Sequence, residues 1–340
     1  MSFAKELRIA QLAVERACKL TKLVADSHQT GSVSKSDHSP VTVADFGAQA
    51  VIIGALQKVF TEDPVVGEED SSILRGDSAL RERVWSLVQE SSAADSYASE
   101  IGVIDNEEKM LEYIDWGKFE GGSVPRMWAV DPVDGTKGFL RGGQFAVCLA
   151  LIVDGKVVVG VIGCPNLLVD PTDASKGTGV IFSTAKGEGA YCHAIGSPIS
   201  SATKISMAEI QDTSSASFCE SVEAGHSSHG QQASIAKLLG ISKPSVRMDS
   251  QAKYASIARG DGDIYLRLPV SATYEEKIWD HASGDLLVAE AGGVVTDMFG
   301  KPLDFTKGRT LKDNKGIVAA SKNIHAQVLE AVQKVLASSD

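Results

Sequence analysis

The chain reads as an α+β half followed by an α/β half, and three observations carry that reading. Near the start, two stretches beginning at Phe3 and Val43 place apolar residues at helical spacing. The middle holds long β-branched runs on either side of Asp154-Gly155 and Lys186-Gly-Glu-Gly189, the pattern of antiparallel hairpins. From about residue 197, short apolar strands alternate with helical stretches, as in a smaller mixed or parallel sheet. The expected organisation is an α+β subdomain over residues 1–196, interrupted by an insertion at about 71–126, and an α/β subdomain over 197–340.

Composition narrows the class. With 340 residues, 43% hydrophobic and 23% charged, the sequence has ample material for a globular core. Apolar runs all fall short of the ~20 residues that span a bilayer. Met1-Ser-Phe-Ala-Lys-Glu lacks a basic segment leading into an apolar one, so no secretory signal is expected. A net charge of −11 argues against binding long nucleic acid by counterion release. It leaves room for a small phosphorylated substrate, because metal ions supply positive charge locally. The five cysteines, Cys18, Cys148, Cys164, Cys192 and Cys219, are odd in number and show no C-x-x-C spacing. Reduced thiols and an intracellular, cytoplasmic setting are the expectation.

Taken in order, Phe3, Leu7, Ala10, Val14 and Ala17 predict a helix to about Ala25 with Ser2 as N-cap. Gly31 to Pro40 is a polar loop or exposed hairpin. A second helix is predicted over Val43–Phe60, with Thr42 as N-cap and Asp45 in its first turn, where the helix dipole favours an anion. Pro64 to Gly67 reads as a short strand ending in Glu68-Glu69-Asp70. In the insertion, Leu80, Val84, Leu87 and Val88 suggest a helix, and much of the remainder is expected to be mobile. Hairpins are predicted over Gln144–Ile162 and around 186–189. Beyond them come a strand at Ser217–Cys219, a helix at Gln231–Leu239 and a strand at Val246–Asp249. A helix at Gln251–Arg259, a strand at Ile264–Leu268, a helix at Asp280–Ala291 and a strand at Val294–Thr296 complete the series.

The chemistry centres on Trp128-Ala-Val-Asp131-Pro-Val-Asp134-Gly-Thr136. Met127 to Val130 forms a buried strand end that delivers two carboxylates three residues apart. Pro132 fixes φ and Gly135 permits a tight reversal, so both acids can face one point. Carboxylates so close repel unless a cation sits between them, and oxygen-rich sites suit Mg²⁺. The amides of Gly135 and Thr136 can hold a phosphate. Taken singly, each acid has a plainer explanation: a turn for Asp131 and Asp134, a solvated loop for Glu68, a helix start for Asp45 and Asp280. Together they place carboxylates at the ends of separate elements, and that pattern is the sharper signal.

Three motifs, Gly67-Glu68-Glu69, Asp131-Pro-Val-Asp134-Gly-Thr136 and Trp279-Asp280-His-Ala-x-Gly284, resemble the inositol-monophosphatase-like superfamily of magnesium-dependent, lithium-sensitive phosphatases. Lys137-Gly-Phe-Leu-Arg, Gly225-His226-Ser-Ser-His229, Asp249-Ser250-Gln-Ala-Lys253-Tyr254 and Tyr265-Leu-Arg267 resemble its 3′(2′),5′-bisphosphate nucleotidases. The likeness covers nearly the whole chain and is weakest at 71–120 and 165–215. It implies a layered αβαβα sandwich and hydrolysis of adenosine 3′,5′-bisphosphate, and of 3′-phosphoadenylyl sulfate, by a metal-activated water. It also implies a monomer, sensitivity to lithium and sodium, and a place in sulfur metabolism and salt tolerance.

By the same resemblance, Glu68, Asp131 and the carbonyl of Val133 hold one Mg²⁺. Asp131, Asp134 and Asp280 hold a second, and a third ion near Glu68 is allowed. Asp45 and Thr136 form the proton-accepting pair. Thr136, His226, Ser250, Lys253, Arg267 and Asp280 contact the nucleotide, with His229 as the competing histidine and Lys35 a further approach to the substrate. An inositol polyphosphate 1-phosphatase shares the fold and is the near alternative. A non-catalytic nucleotide or cation sensor would carry a broken acid set, whereas here the set is complete. A P-loop nucleotidase is disfavoured because G-x-x-x-x-G-K-[ST] does not occur.

Overall fold

Helix α1 (Ala4–Asp26) has Phe3 rather than Ser2 at its N-cap, and no side chain caps its first turn. Phe3, partly buried, packs against the core. This computed structural model describes residues 2–27, 32–34, 40–93, 97–222, 229–269, 271 and 273–338. Short strands β1 (Val33–Ser34) and β2 (Pro40–Val41) pair antiparallel ahead of α2 (Val43–Val59).

The predicted strand before the acid cluster is β3 (Val65–Gly67). The insertion holds the helix expected around Leu80–Val88 and more helix than expected beside it. It forms α3 (Ser72–Gly76), α4 (Ser78–Ala93), α5 (Ala98–Ile101) and α6 (Glu107–Trp116). Leu74, Val84, Val88, Ile101, Met110 and Ile114 from these helices are all buried in the main core. The physical reason lies in α2, which is buried along nearly its whole length and apolar on every side. Such a helix needs cover all round, and the insertion supplies the side that α1 and the sheet leave open.

Strand β4 (Arg126–Asp134) then carries the first acid pair, and α7 (Thr136–Leu140) follows it directly. The predicted hairpins are β5 (Ala146–Val153) with β6 (Lys156–Leu168), and β7 (Thr178–Ala185) with β8 (Gly189–Ala194). Asp154 and Gly155 between β5 and β6 both have positive φ, 48° and 71°, as a type I′ turn requires. Strand β9 (Thr203–Ile205) completes a seven-stranded sheet in sequential order, β3 to β9. The β3–β4 pair is parallel and the rest are antiparallel.

The remaining elements are β10 (Phe218–Glu220), α8 (His229–Leu239), β11 (Val246–Arg247), α9 (Ala252–Arg259) and β12 (Ile264–Arg267). A 3-10 turn at Ile278–Asp280 leads into α10 (Ala282–Glu290), β13 (Gly293–Thr296), β14 (Ile317–Ser321) and α11 (His325–Ala337). The second sheet has the order β11-β10-β12-β14-β13. Its β10 pairs parallel with β11 and β12, whereas β14 pairs antiparallel with β12 and β13.

Three buried clusters define the layers. On one face of the large sheet, Val130, Leu149, Val161 and Ile181 meet α1 and α2. On the other, Ala129, Cys148, Ile162 and Phe182 meet Tyr254 of α9, Leu287 of α10, and through them Tyr265 and Ala319 of the second sheet. The outer face of that sheet, Phe218, Ile264 and Val318, packs on Ile235 of α8 and on Val328 and Val332 of α11. Helix pair, sheet, helix pair, sheet, helix pair is the αβαβα sandwich the sequence implied. The cysteines are free thiols; Cys192 is partly exposed, and burial pushes Cys219 up to about 12.

Candidate active site

Asp45 is set by the start of α2. Thr42 and Asp45 form a reciprocal capping box, in which the Thr42 amide and hydroxyl donate to Asp45 Oδ2 at 2.7 and 2.6 Å. Asp45 Oδ1 is turned to the Thr136 hydroxyl at 3.4 Å. That hydroxyl also lies 3.2 Å from the carbonyl oxygen of Val133. A Thr-x-x-Asp spacing at a helix start therefore both caps α2 and aims a carboxylate at a hydroxyl ninety-one residues away in sequence.

Asp131 and Asp134 leave β4 at a register break opposite β5, where pairing shifts between the two residues. Gly135 completes the reversal with φ 88°. A Cβ there would lie 3.1 Å from Ser250 Cβ and 3.3 Å from Asp249 Cβ, so only glycine fits both the angle and the space. The second sheet is thereby brought against the acid pair. The Gln251 amide donates to Asp134 Oδ2 at 2.6 Å, Arg141 pairs with Asp249 at 2.6 Å, and Ser250 takes φ 70°.

The acids converge electrostatically. Burial pushes the Asp131 carboxyl well above the usual carboxylate range, and Glu68, Asp134, Asp280 and Asp45 each push it further. Burial raises Asp134 to about 6, against the opposing pull of Lys253 and Arg267. It raises Asp280 to about 7, with Arg267 opposing and Asp134 adding to the rise. Acids from four separate parts of the chain therefore lie within electrostatic reach of Asp131. Asp131 Oδ1 is buried without any hydrogen-bond partner. An oxygen that is buried, unpartnered and ringed by carboxylates is a ligand position for a hard divalent cation, so the donor set fits Mg²⁺.

On the far side, Arg267 binds Glu276 at 2.8 Å and lies 3.8 Å from Asp280. The Tyr274 ring stands 6.0 Å from its guanidinium. Glu276 is held at about 2: the nearby Arg267 and His281 outweigh the burial that would raise it. Glu276, Asp280 and His281 bring ligand atoms within 4.8 Å of one another, the one grouping this close found among the described residues. Two of its members are already engaged: Glu276 by Arg267, and His281 by Glu276 at 3.1 Å and the Tyr254 hydroxyl at 2.9 Å. The grouping supports Asp280 from behind.

Several expected side chains take particular positions. Lys253 is buried, and its Nζ donates to the carbonyls of Ser250 at 2.9 Å and Met248 at 3.4 Å. It thus fixes the loop that carries Ser250 while placing its charge beside Asp134. Ser250 Oγ accepts from the Ala252 amide at 3.1 Å. Asp280 sits in the 3-10 turn ahead of α10 rather than in the helix itself. His226 and Lys35 lie outside the described residues, as does the His229 side chain.

Other contributors were not singled out from sequence. Gln251 donates to the Trp279 carbonyl at 2.8 Å and accepts from the Ser283 hydroxyl and the Gly284 amide. Gln49 binds the main chain of Glu69 on both sides, donating to its carbonyl at 2.7 Å and accepting from its amide at 3.0 Å. Glu276 and His281 bracket Asp280 closely in sequence, a proximity that could have flagged them. Gln49 and Gln251 gave no such signal, since a buried amide looks like any helix-surface glutamine until its partners are known.

Comparisons with known proteins bear on the family and the fold. Residues 3–337 match the inositol monophosphatase family. A 3′(2′),5′-bisphosphate nucleotidase of Emericella nidulans is 54% identical over 99% of each chain. One from Schizosaccharomyces pombe is 52% identical, covering 98% of this chain and 97% of its own. Among solved structures, a Thermotoga maritima IMPase superposes with TM-score 0.64 at 18% identity over 98% of each chain. CysQ from Bacteroides thetaiotaomicron superposes with TM-score 0.58 at 21% identity, over 93% of this chain and 97% of its own. These last two speak to the fold. The chain belongs to the inositol monophosphatase family, and along its whole length it is similar to that family's 3′(2′),5′-bisphosphate nucleotidases.

Proposed function

We propose that the protein is a magnesium-dependent phosphoric monoester hydrolase that removes the 3′-phosphate from adenosine 3′,5′-bisphosphate, and acts likewise on 3′-phosphoadenylyl sulfate. The observation that carries this reading is the buried, unpartnered Asp131 oxygen with Glu68, Asp134, Asp280 and Asp45 arrayed about it. The names of relatives about half identical in sequence point to the same substrate.

Glu68, Asp131 and the Val133 carbonyl would hold one ion, and Asp131, Asp134 and Asp280 a second, with a third near Glu68. When bound, such ions activate the attacking water and stabilise the leaving oxygen. The chain's own part is to move the proton. Thr136 donates its hydroxyl proton to Asp45, which leaves an Oγ lone pair to accept from the attacking water. The two bonds from Thr42 hold Asp45 with one oxygen facing Thr136. With the Val133 carbonyl engaged by a cation, Asp45 is the acceptor left to the Thr136 hydroxyl.

Arg267 and Ser250, and by sequence resemblance His226, would contact the nucleotide, while Lys253 shapes that side through the Ser250 loop. Residues 1–196 supply most of the metal-binding acids, and 197–340 supply Asp280 and the nucleotide face. Lithium and sodium inhibit by replacing the second ion. The protein acts as a cytoplasmic monomer in nucleotide clearance.

The deciding experiment measures inorganic phosphate released from adenosine 3′,5′-bisphosphate and from inositol 1,4-bisphosphate, with Mg²⁺ and with or without millimolar Li⁺. Release from the nucleotide, lost on adding Li⁺, is expected. Faster release from the inositol compound would shift the assignment to an inositol polyphosphate 1-phosphatase. Nucleotide binding without release would indicate a sensor.

A further inference from the structure

Glu68 and Asp280 reach the acid cluster from opposite halves of the chain, and a single residue touches the segments that carry both. The main chain of Arg309 belongs to the second half. Its carbonyl accepts from the Ile278 amide at 3.1 Å, and the Leu311 amide donates to the Glu276 carbonyl at 2.8 Å. An antiparallel bridge between Lys277 and Thr310 lies between them. This short ladder runs straight into the turn that presents Asp280.

The side chain of Arg309 crosses to the first half. Its guanidinium donates to the carbonyls of Gly67, Gly117 and Phe119, the last two at 3.2 and 3.0 Å. The same group stands over the Trp279 ring at 4.8 Å from its centroid. Gly67 immediately precedes Glu68, and Trp279 immediately precedes Asp280.

Two further features give this cross-link a fixed length. On the other flank of Glu68, Gln49 binds both the amide and the carbonyl of Glu69. A Cβ on Gly67 would lie 2.8 Å from Gln49 Oε1, and one on Gly117 would lie 2.7 Å from Gln49 Nε2. Glu68 is therefore held from both sides by its main-chain neighbours. Behind Arg309, a Cβ on Gly121 would come within 2.8 Å of the Gly308 carbonyl oxygen, so the two backbones meet with no side chain between them.

The choice of acceptors is informative. Glu68, Asp70 and Glu120 all lie within electrostatic reach of Arg309, yet its hydrogen bonds to the first half go to three carbonyls. A planar fork that meets fixed carbonyls on one side and stacks on a ring on the other defines a position. A flexible ammonium cannot reproduce it.

We infer that Arg309 is a positioning residue whose guanidinium sets the separation of Glu68 and Asp280, and so tunes the affinity of the acid cluster for divalent cations. The inference rests on the metal-binding reading of those acids. Residues outside the ligand shell that orient ligands this way typically change metal affinity by about 10–100-fold when altered.

The test uses the full chain with Arg309→Lys and Arg309→Gln, both of which keep part of the packed stem. Mn²⁺ is titrated into metal-free protein and followed by electron paramagnetic resonance, and thermal midpoints are recorded in chelator. Both variants are expected to bind Mn²⁺ about 10-fold or more weakly. Phosphate release should need correspondingly more Mg²⁺, with kcat at saturating Mg²⁺ close to that of the parent. Parent-like Mn²⁺ affinity in the folded variants, even with a lowered thermal midpoint, would reduce Arg309 to general packing and overturn the inference. Asp131→Asn and the parent run alongside. A parent chain that fails to bind Mn²⁺ at all would instead remove the metal reading itself, and the strut with it.

Discussion

The main-chain amide of Gln251 donates to Asp134 Oδ2 at 2.6 Å, joining residues 117 positions apart. The side chain of the same residue binds the Trp279 carbonyl, one residue before Asp280. Gln251 thus fixes the spacing of Asp134 and Asp280. Gln251→Leu keeps the main-chain amide but removes the side-chain partner of the Trp279 carbonyl and of the Gly284 amide, at a cost of about 1–3 kcal/mol each. The expected result is a lower urea midpoint together with a raised Mg²⁺ requirement. A normal Mg²⁺ requirement alongside the lost stability would show that Asp280 does not depend on this bond.

Asp131 faces the greatest concentration of like charge. Bound Mg²⁺ should stabilise the parent by mass action, about 2.7 kcal/mol at a hundred times its dissociation constant. Asp131→Asn should melt at the same temperature with and without Mg²⁺ in differential scanning calorimetry. It should also lose at least about a thousandfold in phosphate release, since metal activation of water is the main chemical resource of such a site. A Mg²⁺-dependent rise in the melting temperature of this variant would contradict the assignment of Asp131 as a metal ligand.

Thr136 tests proton transfer separately from metal binding. Thr136→Val removes the hydroxyl and keeps the shape, so kcat should fall about 10²–10⁴-fold while Mn²⁺ affinity holds. Thr136→Ser, which restores an Oγ, should recover most of the rate. Equal loss in both variants would point to the methyl group and packing rather than the hydroxyl.

Stability should carry a pH signature from a carboxyl outside the cluster. Burial raises Asp285, in the first turn of α10, to about 7, against the pull of Lys156. The folded state then binds a proton that the unfolded chain releases near its ordinary value of 3.8. Stability from this group is fully present below pH ~4 and declines as pH rises to about 7. Asp285→Asn should flatten that part of the curve, read from urea midpoints at pH 4.5, 5.5, 6.5 and 7.5 in Mg²⁺-free buffer. An unchanged slope in the variant would place the pH dependence elsewhere.

Much of this architecture was legible because it is local. Thr42 and Asp45 announce the start of α2 by their spacing, and Asp154-Gly155 announces its turn by composition. Of the helices over 72–116, α4 showed in Leu80, Val84, Leu87 and Val88, and the others were obscured because they are short or only partly apolar. Their order comes from covering α2, a tertiary demand that periodicity does not show. Helix α11 also carries a helical signal in the sequence, since Val328, Ala331, Val332 and Val335 fall at helical spacing and all are buried. The 3-10 turn at Asp280 could not be told from a helix start, because the Gln251 side chain that accepts from Gly284 comes from far away in sequence. The acids themselves were readable as a set, but their distances and their supporting amides were not.

The division of the carboxylates along the chain has a consequence for biosynthesis. Asp45, Glu68, Asp131 and Asp134 leave the ribosome well before Asp280, and the large sheet that carries most of them can form while the later strands are still being made. Until the turn at 278–280 docks, the earlier acids lack their last oxygen donor and the Arg309 clamp. A nascent chain should therefore gain tight ion binding abruptly and late, at the moment its two sheets close on one another.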